Sequence, residues 1–152
     1  MYPIRLLAVG RPRLPGLEDL QRHYLGLLKP HVRLELIEIQ EGRGDTARRL
    51  REEAQRLRPL LQESTCPVLL SPEGPIRSSQ AFATWLGSRM DRGDHMAFAL
   101  GSSHGFETAL KGEIREHLSL GPMTFPHDLC RVLFLEQLYR AFAILKGGPY
   151  HK

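Results

Sequence analysis

The sequence has few cysteines and no long hydrophobic run. Its two cysteines, Cys66 and Cys130, form no C-x-x-C motif and are too few for a disulfide framework, so we expect two reduced thiols. No apolar run approaches the roughly 18–20 residues of a membrane span, and the N-terminus lacks the basic start and cleavage site of a signal peptide. The seven histidines show no metal-ligand spacing. These absences predict a cytoplasmic protein without a bound metal or a membrane partner.

The chain also lacks a strong charge of either sign. Its net charge is +4, from 21 basic and 17 acidic residues, which favours a polyanionic partner only weakly. The densest group of arginines lies within residues 43–58, where Arg48 with Glu52 and Arg49 with Glu53 have helical i,i+4 spacing. This pattern is typical of a solvated, salt-bridged helix face rather than of a nucleic-acid-binding stripe.

The apolar residues alternate between strand-like and helix-like spacing along the chain. Asp45 and either Ser78 or Ser79 are expected to cap helices. Strands that alternate with helices predict one α/β domain over residues 1–152, with a mainly parallel sheet and helices on both faces. Strands are predicted over 2–10, 32–39, 67–71 and 95–100, helices over 17–28, 45–61, 78–86, about 107–117 and 126–145, and a tail over 146–152.

Three loops follow predicted strands in the second half of the chain. They come after Leu70, Leu100 and Leu120, and each contains Gly, Pro or both. Ligands of parallel α/β sheets lie beyond the carboxyl ends of the strands, and glycine lets backbone approach a ligand closely. These loops are therefore the candidate site.

The loop after Leu100 contains the G-x-S-x-G pattern of a serine-hydrolase nucleophile elbow, Gly101–Gly105. Asp128 and His151 follow Ser103 in the chain order of a Ser–acid–His triad. However, the chain is short for an α/β-hydrolase and no HGGG-like oxyanion loop precedes the pattern. A non-catalytic turn whose Ser102 or Ser103 caps the next helix is the favoured alternative.

The C-terminal sequence FPHDLCRVLFLEQLYRAFAILKGGPYHK carries a more specific signal. Together with LLAVG near the start and LELIEI at 34–39, it closely resembles the ribosomal RNA large subunit methyltransferase H family over nearly the whole chain. The matching C-terminal positions are Pro126, His127, Leu129, Arg131, Val132, Leu133, Glu136, Gln137, Tyr139, Arg140, Ala141, Ile144, Pro149, Tyr150 and His151.

This resemblance implies a SPOUT-class enzyme whose C-terminal part is tied in a trefoil knot. Such enzymes act as homodimers and bind S-adenosyl-L-methionine in the knot. Family members methylate N3 of a pseudouridine in large-subunit ribosomal RNA on the assembled ribosome. For this chain, the resemblance therefore implies S-adenosyl-L-methionine as the cofactor. It implies large-subunit ribosomal RNA in the assembled ribosome, and a second copy of the chain, as partners.

The resemblance also assigns site residues. The acceptor N3–H must lose its proton, so the site needs a base or a group that stabilises the developing anion; Arg140, Tyr150 and His151 are the candidates. Arg140 could instead pair with Glu136 at i,i+4. Arg131 and Lys152 are candidate RNA contacts. The cofactor contacts map onto Leu70, Gly101, Leu120, Gly121, Pro122, Met123, Thr124 and Phe125.

Two segments depart from the family pattern. The turn is Gly-Ser-Ser-His-Gly at 101–105, where family members commonly have G-G-P-E-G. The tail is Gly-Pro-Tyr-His-Lys at 148–152, where they often have H-P-Y-H-R, so a point charge replaces a planar guanidinium. A non-catalytic ribosome-binding factor on the same fold is therefore an alternative function.

Overall fold

The computed structural model describes residues 1–152 as five strands and five helices in alternation. None of the helices combines the length and apolar character that crossing a membrane requires. Along the chain the elements are β1 Pro3–Val9, α1 Leu17–Leu28, β2 Arg33–Ile39, α2 Thr46–Gln62, β3 Cys66–Leu70, α3 Ser79–Asp91, β4 Met96–Leu100, α4 Thr108–Glu113, β5 Glu116–Leu118 and α5 His127–Leu145.

The five strands form one sheet in the order β2-β1-β4-β3-β5, and every pair of neighbours is parallel. Leu70 at the end of β3 is in register with Leu100 of β4 on one side and Leu118 of β5 on the other. The carboxyl ends of these three strands therefore lie side by side, which brings the loops that follow them to one edge of the sheet.

Both faces of the sheet are covered, as the sequence predicts. One core cluster contains 18 buried residues and joins β1, β3 and β4 to helices α1, α3 and α5, with Phe98 and Phe134 at its centre. A second cluster of 11 buried residues joins the opposite face to α2 and α4 through Leu57, Leu61 and Leu110. The trefoil knot stays a prediction.

The predicted helix over 107–117 is wrong in its second half. Helix α4 ends at Glu113, Ile114 is extended, and residues 116–118 form β5 on the edge of the sheet. This strand has only three residues and begins with Glu116 and His117, so its sequence carries no apolar alternation. Pairing with β3, a tertiary contact, decides its conformation.

Both predicted helix caps are confirmed. The Asp45 carboxylate accepts a hydrogen bond from the Arg48 amide at 2.9 Å, and the Ser78 hydroxyl accepts one from the Ala81 amide at 3.0 Å. Each bond satisfies an amide that the first turn of the helix leaves without a partner. Ser79 lies inside the helix, and its hydroxyl donates to Gln137.

The charged face of α2 is only partly as predicted. Arg48 and Glu52 pair at 3.0 Å, but Arg49 and Glu53 do not. Glu53 is buried and accepts a hydrogen bond from the Gly42 amide at 3.0 Å, while Arg49 donates to a loop carbonyl. The i,i+4 spacing permits the second pair, and the packing of the loop before α2 prevents it.

Candidate functional site

A cavity of ≈ 750 Å³ lies at the carboxyl ends of β3, β4 and β5. The three loops selected from the sequence meet around it, and the start of α5 closes one side. Its volume is within the range typical of sites for small molecules and cofactors. Residues from the three loops and α5 that line it include Ser71, Glu73, Ser102, Phe106, Ser119, Phe125, His127 and Cys130.

Gly101 is required by the tight turn after β4. A Cβ atom at Gly101 would lie 2.5 Å from the Gly105 carbonyl oxygen, closer than any real side chain approaches backbone. The Gly105 amide donates to the Ser102 carbonyl at 2.9 Å and closes the turn, and Gly105 has a φ of 78°. The turn therefore presents backbone to the cavity.

The loop after β5 is held by one buried serine. The Ser119 hydroxyl accepts a hydrogen bond from the Gly121 amide at 3.1 Å and donates to the Gly121 carbonyl at 3.0 Å. The Ser119 amide in turn donates to the Pro75 carbonyl at 3.1 Å. A Cβ atom at Gly74 would lie 2.8 Å from the Leu118 amide nitrogen. The loops after β3 and β5 are thus packed backbone to backbone beside the cavity.

Most of the predicted cofactor residues lie around this cavity, and their role stays a prediction. Pro122 does not line it, although its neighbours do, and Met123 is 77% exposed. The predicted residues that line the cavity are Leu70, Gly101, Leu120, Gly121, Met123, Thr124 and Phe125.

The cavity wall contains further polar groups that the sequence did not single out. The Glu73 carboxylate pairs with the Lys111 ammonium at 3.2 Å, and the Ser71 hydroxyl also donates to Glu73. These hydrogen bonds, first that of Ser71 and then that of Lys111, lower the pKa of Glu73. Ser71 and Glu73 lie in the loop that follows β3, so the strand-end rule indicates them as candidate site residues as well. Lys111 is on α4, and only the tertiary structure brings it here.

A second cluster, formed by Glu136, Arg140, Tyr150 and His151, lies near the C-terminal end of α5; we call it the tail cluster. A Schellman motif reverses the chain after α5: the Gly148 amide donates to the Ala143 carbonyl at 2.9 Å, and Gly147 adopts a φ of 69°. The reversal lays Tyr150 and His151 back against the helix.

One carboxylate holds the tail cluster together. The Glu136 Oε1 atom accepts hydrogen bonds from Arg140 Nε at 3.0 Å, from Arg140 Nη2 at 2.5 Å and from the Tyr150 hydroxyl at 3.0 Å. The Arg140 guanidinium also lies 4.8 Å from the centre of the Tyr150 ring, and its Nη1 is 3.1 Å from His151 Nδ1. The structure thus brings the three predicted catalytic residues into contact, with the i,i+4 pair of Arg140 and Glu136 also formed.

The environment of the tail cluster shifts two pKa values. Burial, followed by the neighbouring Glu136 carboxylate, raises the pKa of Tyr150 to about 12. The hydrogen bond to Glu136 raises the pKa of Arg140. Tyr150 is therefore a neutral hydrogen-bond donor, and Arg140 a fixed cation, at physiological pH.

The cavity and the tail cluster are separate within one chain. Cys130 is the last residue of α5 that lines the cavity, and Arg140 follows ten residues later on the same helix. At 1.5 Å per residue, the two positions are about 15 Å apart along the helix axis. The structure therefore does not bring the predicted cofactor residues and the predicted catalytic residues together in a single chain.

The predicted RNA contact of Arg131 does not fit the structure. Arg131 is only 2% exposed, and its guanidinium donates to Glu38 at 2.9 Å and to the Gly10 carbonyl at 2.9 Å. It is a buried structural residue that ties α5 to the ends of β1 and β2. Lys152, the other predicted RNA contact, is exposed at the end of the tail.

The serine-hydrolase alternative is wrong. A nucleophile elbow holds its serine in a strained turn directly before a helix, but no residue other than glycine has a positive φ and α4 begins only at Thr108. Asp128 is buried and accepts from the Arg13 amide at 2.7 Å, while His151 contacts Arg140. Ser103 itself is exposed on the turn, so the three residues form no triad.

Comparison with known proteins first identifies the class. The family model described as "Predicted SPOUT methyltransferase" matches residues 2–151. The crystal structure of TrmJ from Z. mobilis ZM4 has a similar fold, with a TM-score of 0.54, 12% identity and coverage of 93% of this chain and 70% of that chain. At that identity the likeness concerns the fold alone. Because the family model matches residues 2–151, the parallel sheet and the cavity at its carboxyl edge are those of a SPOUT-class methyltransferase.

Sequence relatives narrow the class further. A protein of Gemmatimonas aurantiaca named ribosomal RNA large subunit methyltransferase H is 40% identical over 152 residues, which cover 98% of this chain and 99% of the relative. A protein of the same name from Sinorhizobium fredii is 41% identical over 157 residues, with 98% of each chain covered. The chain therefore belongs to the SPOUT methyltransferase family and, within it, to the ribosomal RNA large subunit methyltransferase H proteins.

Proposed function

We propose that this protein transfers a methyl group from S-adenosyl-L-methionine to N3 of a pseudouridine in large-subunit ribosomal RNA, on the assembled ribosome in the cytoplasm. The observation that carries the proposal is the meeting of three strand-end loops around one cavity, in a chain that the methyltransferase family matches from residue 2 to 151. The names of the relatives supply the ribosomal RNA substrate.

The cavity has features that fit a nucleoside cofactor. Leu70, Leu100 and Phe125 give it apolar walls, while the turn at Gly101 and the loop after β5 line it with backbone. A Cβ atom at Gly101 would lie 2.5 Å from the Gly105 carbonyl oxygen, so the turn keeps backbone without a side chain beside the cavity, as close approach to a ligand requires.

The bound cofactor would supply an electrophilic methyl group on a sulfonium. Transfer of that group is an in-line displacement, so the protein acts mainly by positioning the acceptor base. The cavity loops would hold the adenosine, and the Arg140, Tyr150 and His151 side chains would hold the acceptor base beside the methyl group. The family match over residues 2–151 supports the proposed trefoil knot in this region.

We also propose that the active protein is a homodimer. Arg140 lies about 15 Å along α5 from Cys130, the last residue of that helix that lines the cavity, too far for the Arg140 side chain and the cavity of the same chain to contact one methyl group. A second copy that places its tail cluster over the cavity would complete the site. Such a composite site would present two chains to the ribosome, which suits recognition of a folded RNA shape by a small, mildly basic protein.

Calorimetry with S-adenosyl-L-methionine tests the function most directly. We expect binding to the wild-type protein, and an affinity at least about tenfold weaker for Gly101→Ala, because the added methyl group displaces the turn that lines the cavity. Gly112→Ala is the matched control, since a Cβ atom there meets nothing within 4 Å. Absence of binding at millimolar cofactor would contradict the proposal.

Methyl transfer to ribosomes separates the catalytic function from its alternative. We expect tritium from methyl-labelled cofactor in the large-subunit RNA of ribosomes that lack the modification. A protein that binds ribosomes and cofactor but transfers no methyl group to any ribosomal substrate would instead be the non-catalytic ribosome-binding factor.

A further inference from the structure

The hydrogen bond between Arg140 and His151 fixes which nitrogen of the histidine carries the proton. An arginine guanidinium has five N–H donors and no acceptor. Its Nη1 lies 3.1 Å from His151 Nδ1, so Nδ1 must be the acceptor in this bond. The neutral imidazole then carries its single proton on Nε2.

The guanidinium is itself held in place. Arg140 Nε and Nη2 both donate to Glu136 Oε1, at 3.0 Å and 2.5 Å, and the Glu136 side chain is only 15% exposed. Charge-assisted bonds to two nitrogens of a planar guanidinium restrict both its position and its orientation. Glu136 therefore controls the direction in which Arg140 points its Nη1 donor at His151.

We propose that neutral His151 donates a hydrogen bond from Nε2 to a carbonyl oxygen of the acceptor base, and that Glu136 is the positioning residue that, through Arg140, fixes this tautomer. The inference rests on the proposed function and refines the role of His151. In an imide, the two carbonyl oxygens beside the nitrogen take up the charge when the N–H proton leaves. A donor aimed at one of them stabilises the transition state.

The same geometry assigns no base role to His151 or Tyr150. The Nδ1 lone pair of His151 is occupied by Arg140, and its Nε2 carries a proton. The Tyr150 hydroxyl donates to Glu136 and stays protonated. The N3 proton accordingly passes to solvent water, and the electron pair of the N3–H bond forms the new bond from N3 to the methyl carbon. The electron pair of the broken sulfur–carbon bond stays on sulfur as a neutral thioether.

Two substitutions of His151 distinguish a donor from a base. A glutamine side chain places an amide near the Nε2 position, whereas asparagine places one near Nδ1, and neither amide is a base. We expect His151→Gln to keep methyl transfer to ribosomes within about tenfold of wild type, and His151→Asn to lose about 100-fold or more, the effect of removing one such donor. Both variants should bind the cofactor with wild-type affinity in calorimetry, which verifies that they fold.

Nitrogen NMR of the histidine side chains tests the positioning role of Glu136 without any turnover. We expect wild-type His151 to be protonated on Nε2 alone, and Glu136→Gln to introduce the Nδ1-protonated form, with the exposed His104 unchanged as an internal control. Protonation of Nδ1 in the wild type, or equal losses of activity in the two His151 variants, would overturn the inference. Failure of the wild-type protein to methylate ribosomes would overturn the proposed function as well.

Discussion

At the scale of single residues, the Glu136 carboxylate determines the properties of its neighbours. It accepts a hydrogen bond from the Tyr150 hydroxyl, and its negative charge disfavours a phenolate at Tyr150. Tyr150 is also partly buried against the ring of Tyr139, 4.8 Å between centres. Desolvation and a neighbouring anion both favour the neutral phenol. Tyr150 is therefore suited to hold a substrate by stacking, because its one hydroxyl proton is already donated to Glu136.

The titration of Tyr150 can be observed directly. We expect the tyrosinate absorbance of wild type minus that of Tyr150→Phe to rise with a pKa of about 12. The folded protein holds this proton more tightly than the unfolded chain does. The contribution of this proton to the free energy of unfolding is fully present below pH about 10, and it is lost as the pH rises towards 12. A difference titration centred at the ordinary tyrosine value would contradict the structure.

At the scale of secondary-structure elements, the end of α5 decides where the tail lies. The Schellman motif needs a left-handed residue at its turn, and Gly147 supplies it with a φ of 69°. Gly148 has no such requirement, and a Cβ atom there would lie 3.5 Å from the Ala143 carbonyl, an ordinary contact. Of the two consecutive glycines, only the first is required by the backbone.

This difference gives a matched pair of substitutions. We expect Gly147→Ala to cost about 1 kcal/mol, because a side chain in the left-handed region is strained, and to increase amide hydrogen exchange over the tail. Methyl transfer should fall while cofactor binding is retained. Gly148→Ala should leave exchange, binding and transfer close to wild type. Equal effects of the two substitutions would show that the tail is not held by the Schellman motif.

At the scale of the whole molecule, the long helix α5 separates the two halves of the proposed site. The cavity is at its N-terminal end and the tail cluster near its C-terminal end. Because a helix is rigid over this length, bending cannot bring the two together within one chain. The proposed homodimer would form a site that combines the cavity of one copy with the tail cluster of the other.

Mixing two inactive variants tests this arrangement. Gly101→Val should abolish cofactor binding, and deletion of residues 150–152 should abolish methyl transfer while cofactor binding is largely retained. If each site combines the cavity of one chain with the tail of the other, unfolding and refolding the two together should restore roughly a quarter of the activity per site, because half of the dimers then contain one intact site. No restored activity would mean that each chain supplies its whole site.

Local patterns in the sequence were sufficient for much of this protein. Apolar alternation and helical spacing predicted four strands, all five helices and the caps at Asp45 and Ser78, because these depend on contacts a few residues apart. The strand-end rule located the three loops of the cavity, since all neighbouring strands run parallel. The C-terminal motif by itself indicated the family.

Only the tertiary structure decided the rest, because the deciding contacts join residues far apart in the chain. Strand β5 exists through pairing with β3, and Lys111 reaches the cavity from α4. Arg131 has a side chain that often contacts phosphate, yet packing buries it against Glu38, 93 residues away in the chain. Likewise, the sequence places Glu136, Arg140 and His151 in one motif, but the chain reversal after α5 determines which histidine nitrogen faces the guanidinium and which remains for a substrate.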